Sequence, residues 1–191
     1  NRKISIIGAV RSGLGAAKLG KHLGAIPFVS DAGSEEKLKS SIENLQNEKI
    51  AFEISQHTEK VFDCDLMVVS PGVPSNAEVI KIARSKNIKI ISELEFASSF
   101  CNANVIGITG TNGKTTTTSL CNYLFNECGV KSYSAGNIGL AFSEIASEAK
   151  ENEFVSLEIS SFQLDLIDQF KPKVAMILNI TPDHLNRYEN S

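Results

Sequence analysis

Residues 107–116, with the sequence GITGTNGKTT, constrain this chain more than any other stretch. They follow a short apolar run at 103–106 that is typical of a buried parallel strand. They precede a segment at 117–128 whose apolar residues recur at helical spacing. A strand, a glycine-rich turn, Gly-Lys-Thr and a helix together form the arrangement of a phosphate-binding loop. Backbone N–H groups in such a loop point inward beside a helix N-terminus, so the sequence predicts a phosphate site here.

Two side chains of this loop have definite expected roles. Lys114 is placed to contact the β- and γ-phosphates of ATP, and the Thr115 hydroxyl to bind Mg²⁺. The loop departs from the common pattern, because Ile108 stands where the first glycine is expected. The alternative is a glycine-rich turn beside an unrelated lysine, although strand, loop and helix all agree with a phosphate loop. The predicted ATP-binding residues are Gly110, Thr111, Asn112, Gly113, Lys114, Thr115 and Thr116.

Composition excludes several classes of protein. The 191 residues carry 19 basic and 22 acidic side chains, a formal net charge of −3, and are 42% hydrophobic, enough for a buried core in one large or two small domains. Charges are mixed, so we expect no nucleic-acid partner, and no apolar run suits a membrane span. The four cysteines, with no Cys-x-x-Cys spacing, are expected to be reduced and buried or inert in a cytoplasmic monomer.

The first half of the chain, residues 1–92, alternates predicted strands and helices, which indicates a Rossmann-like sheet of four or five parallel strands. An apolar run at 3–7 precedes GAVRSGLG at 8–15, which resembles the dinucleotide fingerprint Gly-x-Gly-x-x-Gly. Val10 occupies the second glycine position, where the backbone must approach a pyrophosphate. The fingerprint alone leaves NAD, a UDP-type nucleotide and a plain tight turn open.

Further ligand-type loops follow in this half. Asp31 ends the second predicted strand, about where a ribose-binding acid would lie. The sequence PGVP at 71–74 follows another predicted strand at its carboxyl end, where open α/β sheets bind ligands. A rigid turn is the alternative for that cluster. We expect His57 to be an exposed loop residue.

Residues 93–191 predict a second β-α repeat, which contains the phosphate loop. Ser92 is a predicted N-cap, with Glu95 at the capping-box position of a helix that links the two parts. A further helix is predicted at 140–150, and Glu158 lies near the end of a strand that we expect beside the strand of the phosphate loop. The predicted strands after the loop are 130–134, 154–159 and 174–178. The fold class is therefore α/β, a Rossmann-like parallel sheet followed by a P-loop ATPase-type domain.

Several motifs together resemble the Mur ligase family, whose members are ATP-dependent amide-bond ligases of peptidoglycan precursor synthesis. The motifs are GTNGKTT at 110–116, GNIG at 136–139, EISSFQL at 158–164, SPG at 70–72, SELE at 92–95 and N-x-T-x-D-H-L-x-R-Y at 179–188. They are most similar to the branch that adds D-glutamate, since alanine-adding members usually carry His where this chain has Asn112.

The resemblance implies a ligase that uses ATP and Mg²⁺ to join D-glutamate to UDP-N-acetylmuramoyl-L-alanine through an acyl phosphate, and so a role in cell wall biogenesis, cell shape and cell division. It implies that Lys114, Glu158 and His184 are catalytic and that Thr115, Glu158 and His184 hold metal. Imidazole is not the preferred donor for Mg²⁺, so the metal role of His184 rests on the resemblance alone.

The resemblance also implies a substrate site shared by both halves. The amide and hydroxyl groups of Asn137, Ser160 and Gln163 would contact the muramoyl-alanine part. The UDP end would be held by Ala9, Val10, Arg11, Ser12, Asp31, Ser70, Pro71 and Gly72. Asn186 stands where many members carry Asp, although a neutral amide can still form hydrogen bonds.

Two features of the family are missing from the sequence. The family uses a carbamylated lysine downstream of the histidine and a third domain that binds D-glutamate, but no lysine follows Lys173. We therefore expect Ser191 to end a fragment in which 93–191 is an incomplete central domain, the C-terminal D-glutamate-binding domain is absent, and ligation does not occur without the rest.

Three rival interpretations remain at this point. A folylpolyglutamate-type ligase shares the ATP loop, but the Rossmann-like first half argues against it. A non-catalytic nucleotide-binding module is disfavoured by the intact Lys114, Thr115, Glu158 and His184. An NAD-dependent enzyme is disfavoured by Val10 and by the phosphate loop.

Overall fold

A computed structural model of the chain describes residues 2–182, which form two parallel β-sheets flanked by helices. The strands are β1 Lys3–Ile7, β2 Ile26–Asp31, β3 Ala51–Ile54, β4 Leu66–Val69, β5 Ile90–Ser92, β6 Asn104–Thr109, β7 Ser132–Gly136, β8 Phe154–Glu158 and β9 Val174–Ile177. The α-helices are α1 Arg11–His22, α2 Glu35–Asn47, α3 Glu78–Ser85, α4 Glu93–Ser98, α5 Lys114–Glu127 and α6 Phe142–Ile145, and short 3-10 helices lie at Glu59–Phe62 and Ser161–Leu164.

The first sheet has the strand order β3-β2-β1-β4-β5, and all its pairs are parallel. This is a doubly wound order, in which the direction of winding reverses between β1 and β4 and leaves a crevice at the carboxyl ends of the strands. Ile7 of β1 lies opposite Ser30 and Val69, so the loops after β1, β2 and β4 meet at that crevice. The predicted Rossmann-like sheet is confirmed.

Alternate residues of the central strands supply two apolar cores, one on each face of the first sheet. Ile6 and Val68 are buried on the face covered by α1, α2 and α4. Ile7 and Met67 are buried on the opposite face, against Ile80 of α3. Strands that are buried on both faces read as mostly apolar runs, which explains the sequence LMVV and, apart from Lys3 and the buried Ser5, the sequence KISII.

The second sheet has the order β7-β8-β6-β9 and is also parallel throughout. β6, the strand before the phosphate loop, pairs with β8 on one side and β9 on the other. Ile108 lies opposite Glu158 in the β6–β8 register. The prediction that Glu158 ends a strand beside the strand of the phosphate loop is confirmed, because parallel pairing places both carboxyl ends at one edge.

The junction between the two sheets differs from its predicted form. Ser92 caps α4, since its Oγ accepts the N–H of Glu95 at 3.1 Å. Glu95, however, does not complete a capping box. Its carboxylate accepts the N–H groups of Asp168, Gln169 and Phe170 at 2.8–3.0 Å. The segment before β9 supplies a cluster of charge-assisted donors, and these take the place of the local cap.

Two helices have other bounds than predicted. α5 begins at Lys114, so the Lys-Thr pair of the loop lies in its first turn. α6 ends at Ile145 rather than near 150, and the chain continues in turns in which Ala149 N–H bonds to the carbonyl of Ile145.

Among residues 2–182, no helix combines the length and the apolar character that a membrane crossing needs. The four cysteines are free, three of them partly buried and Cys128 exposed.

Candidate functional site

The phosphate loop is held in a tight turn by contacts among its own residues. Gly110 and Gly113 have φ values of 141° and 84°, a region that favours glycine, and they turn the chain sharply between β6 and α5. The Lys114 side chain folds back, so that Nζ donates to the carbonyl oxygens of Gly110 at 2.7 Å and Thr111 at 3.0 Å. The ammonium group therefore already lies within the loop, at the N-terminus of α5.

The segment after β9 braces this loop from outside. Asn179 Oδ1 accepts the N–H of Asn112 at 2.8 Å, and Asn179 Nδ2 donates to the Asn112 carbonyl at 2.9 Å. The Thr111 hydroxyl donates to the carbonyl of Thr181 and accepts its N–H, at 3.0 and 2.9 Å. Asn179 was not predicted as a site residue. The available signals were its place at the start of the motif at 179–188 and a side-chain amide just beyond a predicted apolar strand.

A hydroxyl and a carboxylate meet beside the loop. Thr115 Oγ1 donates to Glu158 Oε2 at 2.8 Å, and Asn137 Nδ2 donates to Glu158 Oε1 at 2.9 Å. Glu158 is only 1% exposed, and these donors satisfy its buried carboxylate. Hydroxyl and carboxylate oxygens are the hard donors that Mg²⁺ prefers. The pair Thr115–Glu158 therefore fits one side of a magnesium site.

Further protein ligands are few in the part of the chain that the structure describes. No group of three or more His, Cys, Asp or Glu side chains in residues 2–182 is placed to hold a metal. His184, the third predicted metal ligand, lies outside the described residues, so its role stays a prediction.

A cleft of about 720 Å³ separates the loops of the first sheet from those of the second. The predicted substrate residues that line it are Val10, Arg11, Ser12, Asp31, Ser70, Pro71, Gly72, Asn137 and Gln163. Gly8, Val73, Gly136 and Phe162 also line it and were not predicted. The crevice of the Rossmann-like sheet is thus continuous with the Asn137 turn beside Glu158.

Two predicted substrate residues lie behind the wall of the cleft. The Ala9 side chain is fully buried, and its N–H donates to Asp31 Oδ2 at 2.6 Å. Ser160 is buried as well, and its N–H donates to Gln163 Oε1 at 2.8 Å. In the structure, both residues orient a neighbour that does line the cleft. Direct contacts of Ala9 and Ser160 with a substrate stay predictions.

The substitution of valine for glycine in the first loop does not strain it. Val10 has φ −85° and ψ −168°, an extended conformation that any residue adopts, and its side chain is 62% exposed. Asp31 fixes the loop instead, because its two carboxylate oxygens accept the N–H groups of Ala9 and Gly33 at 2.6 and 2.7 Å. The loop after β1 therefore keeps a defined shape without its second glycine.

Arg11 reaches across the cleft. Its guanidinium donates to the carbonyl oxygens of Gly139 at 2.8 Å, Asn137 at 2.9 Å and Gly136 at 3.3 Å. These carbonyls belong to residues 136–139, the end of β7 and the bend that follows it, which we call the turn after β7. The sequence placed Arg11 among residues for the UDP end, and nothing in its neighbourhood along the chain indicated this long-range contact.

His57 is half-buried, so the expectation of an exposed loop residue was wrong. Its Nδ1 lies 2.7 Å from Ser30 Oγ, which also donates to Glu53 at 2.7 Å. Burial lowers the pKa of His57, and the negative charges of Glu53 and Asp31 oppose that shift. Burial would raise the pKa of Glu53, but hydrogen bonds from Thr58 and Ser30 lower it overall. A polar cluster thus supports the end of β2 beside Asp31.

A second buried carboxylate, Glu93, lies at the junction of the sheets. It is 1% exposed and accepts the N–H of Ser143 at 2.8 Å, which ties α4 to α6. Burial raises the pKa of Glu93, and the charge of Arg11 is among the influences that oppose this. Sequence alone placed Glu93 in a linking helix and gave it no role.

A Rossmann-like sheet joined to a second parallel sheet that carries a phosphate loop, with a shared cleft between them, defines a two-domain α/β protein of the P-loop type. Residues 3–79 match the family profile described as the MurD N-terminal domain, and residues 108–191 match the Mur ligase middle domain. The chain belongs to the Mur ligase family.

Its relatives include proteins of the D-glutamate-adding branch. It is 45% identical over 194 residues to the UDP-N-acetylmuramoylalanine–D-glutamate ligase of Chloroherpeton thalassium, with 100% of this chain and 42% of that protein covered. The ligase of the same name from Christiangramia forsetii is 46% identical over 190 residues, with 98% and 42% covered. This chain therefore spans about two fifths of the length of these relatives.

Solved structures show the same fold. The UDP-N-acetylmuramate–alanine ligase of Thermotoga maritima superposes with a TM-score of 0.61 at 23% identity, covering 100% of this chain and 44% of that one. The UDP-N-acetylmuramate:L-alanyl-gamma-D-glutamyl-meso-diaminopimelate ligase from Neisseria gives a TM-score of 0.61 at 20% identity, with 98% and 63% covered. At this identity the similarity supports the architecture of two successive α/β domains.

Proposed function

We propose that this chain supplies the nucleotide-sugar and ATP sites of a ligase that joins D-glutamate to UDP-N-acetylmuramoyl-L-alanine. The observation that carries the proposal is the position of Asn137. Its side chain donates to Glu158 beside the phosphate loop, and the same residue lines the cleft of the Rossmann-like sheet. A carboxylate at the inner end of a nucleotide-sugar in that cleft would lie next to the ATP site. The names of the relatives support this choice of substrates.

Residues 1–92 are proposed to bind the UDP end, and residues 93–191 to bind ATP and the muramoyl-alanine end. The two sheets and the cleft between their carboxyl ends support this division. In the first domain, the loop held by Asp31 and the loop of Ser70 flank the crevice. In the second, Asn137 and Gln163 offer amide groups for a polar substrate.

ATP would bind through the phosphate loop. Lys114 carries a positive charge inside the loop, and the N-terminus of α5 adds its partial positive charge. Thr115 and Glu158 would hold Mg²⁺, which, when bound, neutralises charge on the phosphates. The carboxylate of Glu158 is held in place by Thr115 and Asn137, so it needs little rearrangement to accept the ion.

The reaction is proposed to pass through an acyl phosphate. A carboxylate oxygen of UDP-N-acetylmuramoyl-L-alanine attacks the γ-phosphorus of ATP, and ADP leaves. The amine of D-glutamate then attacks the acyl carbon, phosphate leaves with the former carboxylate oxygen, and the nitrogen loses a proton. Lys114 neutralises the negative charge of the transferring group in the first step. Asn137 and Gln163 would orient the acceptor carboxylate.

The wider assignments follow from the same proposal. A ligase of peptidoglycan precursor synthesis would act in the cytoplasm on soluble nucleotide-sugars, would contribute to cell shape and division, and is proposed to work as a monomer. The match of residues 3–79 to the MurD N-terminal domain disfavours a folylpolyglutamate-type ligase and an NAD-dependent enzyme. Intact Lys114, Thr115 and Glu158 disfavour a non-catalytic module.

A substrate panel with the full-length protein tests the proposal. ATP and Mg²⁺ are supplied with one of three acceptors, UDP-N-acetylmuramoyl-L-alanine, UDP-N-acetylmuramate or a folate, and with D-glutamate, L-glutamate, glycine or L-alanine. The release of ADP and the amide product are measured. Product should form with D-glutamate alone. Ligation of L-alanine to UDP-N-acetylmuramate, or of L-glutamate to a folate, would overturn the assignment.

A further inference from the structure

We infer that Arg11 is a positioning residue that couples the nucleotide-sugar loop of the first sheet to the Thr115–Glu158 pair of the second. The inference rests on the proposed function and deepens it. It changes the expected role of Arg11, which the sequence grouped with residues that hold the UDP end. Its basis is a continuous chain of hydrogen bonds that begins at the Arg11 guanidinium and ends in the phosphate loop.

The first link is the fork of contacts to the turn after β7. Arg11 Nη1 donates to the Gly139 carbonyl at 2.8 Å, and Nη2 donates to the carbonyls of Asn137 and Gly136 at 2.9 and 3.3 Å. Three backbone acceptors of one turn therefore converge on one guanidinium. A planar group with several fixed donors suits such a turn, whereas an ammonium is a single point of charge.

The second link is the seating of this turn on the end of β8. The Asn137 N–H donates to the Glu158 carbonyl at 3.0 Å. Gly136 has φ 104°, and a Cβ at that position would lie 2.2 Å from the same carbonyl oxygen. The turn thus lies directly against the backbone of Glu158, and a displacement of the turn would move the metal-binding carboxylate with it.

The third link runs through side chains. Asn137 Nδ2 donates to Glu158 Oε1 at 2.9 Å, and Thr115 Oγ1 donates to Glu158 Oε2 at 2.8 Å. Glu158 therefore stands between the turn that Arg11 holds and the helix that begins with the phosphate loop. Arg11 itself starts α1, between Val10 and Ser12, which line the cleft. The Arg11 side chain therefore links the part of the cleft that would hold the nucleotide-sugar to the Thr115–Glu158 pair.

The electrostatic surroundings of Arg11 agree with a fixed position at the junction. The charge of Arg11 acts on the buried carboxylate of Glu93, which holds the N–H of Ser143 in α6. α6 follows the turn after β7 in the chain. The charge interaction with Glu93 therefore draws Arg11 toward the same turn that accepts its hydrogen bonds. The Arg11 side chain is nevertheless exposed to solvent at the cleft.

The rival role for Arg11 is a direct contact with the diphosphate of the substrate. The two roles differ in what a substitution changes. A diphosphate ligand would set the affinity for UDP, with little effect on kcat at saturating nucleotide-sugar. A positioning residue would set kcat and the Mg²⁺ requirement, because it acts on Asn137 and Glu158, and would leave the affinity for UDP alone nearly unchanged.

The test uses the full-length protein in four forms: wild type, Arg11→Ala, Arg11→Lys and the control Arg84→Ala, which removes an exposed arginine from α3. Arg11→Ala should lower kcat about tenfold, as loss of a charged hydrogen bond does, and raise the Mg²⁺ concentration for half-maximal activity. The dissociation constant for UDP should change less than about twofold. Arg11→Lys should recover part of kcat, and Arg84→Ala should match wild type.

A double-substitution cycle separates this role from a general loss of structure. In an Asn137→Ala background, Arg11→Ala should change kcat little further, since coupled residues are not additive. Additive effects, or a tenfold weaker UDP affinity with unchanged kcat, would overturn the inference.

One measurement remains valid even if the protein does not ligate D-glutamate. Amide hydrogen exchange of Asn137 should be faster in Arg11→Ala than in Arg84→Ala. Equal exchange rates would overturn the inference independently of the proposed reaction, whereas an inactive wild type with the predicted difference in exchange would overturn only the proposed function.

Discussion

The Thr115 hydroxyl lies 2.8 Å from the carboxylate of Glu158 and donates a hydrogen bond to it, although 43 positions separate the two residues in the chain. The contact exists because β6 and β8 are parallel neighbours whose carboxyl ends lie at one edge of the sheet. It places a hydroxyl and a carboxylate on the rim of the phosphate loop. Asn137, which lines the substrate cleft, also donates to Glu158, so this pair lies where the cleft meets the phosphate loop.

Substitution of the hydroxyl should affect the metal requirement. Thr115→Ala should lower kcat about a hundredfold and raise the Mg²⁺ concentration for half-maximal activity, because one hard donor is lost at a charged site. Thr115→Ser keeps the donor and should retain most of the activity. Steady-state rates over a Mg²⁺ titration of the full-length protein provide the measurement. An unchanged Mg²⁺ dependence in Thr115→Ala would remove this residue from the metal site.

Lys114 should be essential for turnover and dispensable for folding. Lys114→Ala should lower kcat by about a hundredfold or more, since the positive charge that neutralises the transferring phosphate is lost. Its melting temperature should stay near that of wild type, because the bonds that this side chain forms within residues 2–182 go to carbonyls of its own loop. Lys18→Ala, in α1, removes a half-exposed charge and serves as the control. Near-normal turnover in Lys114→Ala would exclude the assignment of the loop to ATP.

UDP recognition should map to the first sheet. When UDP is titrated into this chain, NMR chemical-shift changes should appear in the loop of Arg11, at Asp31 and around Ser70, which line the cleft. A parallel titration with ATP and Mg²⁺ should shift residues 110–116 instead. Shifts from UDP that are confined to the phosphate loop would contradict the proposed division between the domains.

The buried carboxylate of Glu93 should make stability depend on pH. Burial raises its pKa above the ordinary value of 4.5, so the folded state binds this proton more tightly than the unfolded state. Its contribution to the free energy of unfolding is therefore full below pH 4.5 and is lost as the pH rises through the raised pKa. Glu93→Gln keeps an acceptor for Ser143 and cannot ionise.

The advantage in stability of Glu93→Gln over wild type should accordingly grow from pH 4.5 to pH 8. Urea unfolding at several pH values measures it. Glu148→Gln makes the same change of charge at an exposed position and is the matched control. An advantage that is independent of pH, or that shrinks as the pH rises, would show that ionisation of Glu93 does not lower the free energy of unfolding.

Local patterns in the sequence predicted much of the fold and part of the candidate site. The strand, glycine turn and helix around Lys114 are encoded by adjacent residues. The alternation of strands and helices along the chain was sufficient to predict a parallel sheet with Glu158 beside that loop. Val10 was harder to interpret, because the sequence does not state its backbone angles. Its extended conformation shows that the loop did not need the missing glycine.

Contacts between distant parts of the chain could not be predicted in the same way. Arg11 binds carbonyls 125 to 128 positions away, and a backbone carbonyl leaves no trace in the amino-acid sequence. Glu95 carries the pattern of a capping box, yet three N–H groups from the segment before β9 compete for its carboxylate. In both cases the distant partner is a backbone group. Backbone groups are the same whatever the amino-acid sequence, so the sequence does not show which of them will be bound.

Transfer of oxygen from the acceptor to phosphate tests the central claim most directly. UDP-N-acetylmuramoyl-L-alanine labelled with ¹⁸O in its terminal carboxylate is incubated with the full-length protein, ATP, Mg²⁺ and D-glutamate, and the released phosphate is analysed by mass spectrometry. The acyl-phosphate route predicts one ¹⁸O atom in each phosphate released, because the bond that breaks in the second step joins the acyl carbon to a former carboxylate oxygen. Amide product accompanied by unlabelled phosphate would contradict the account.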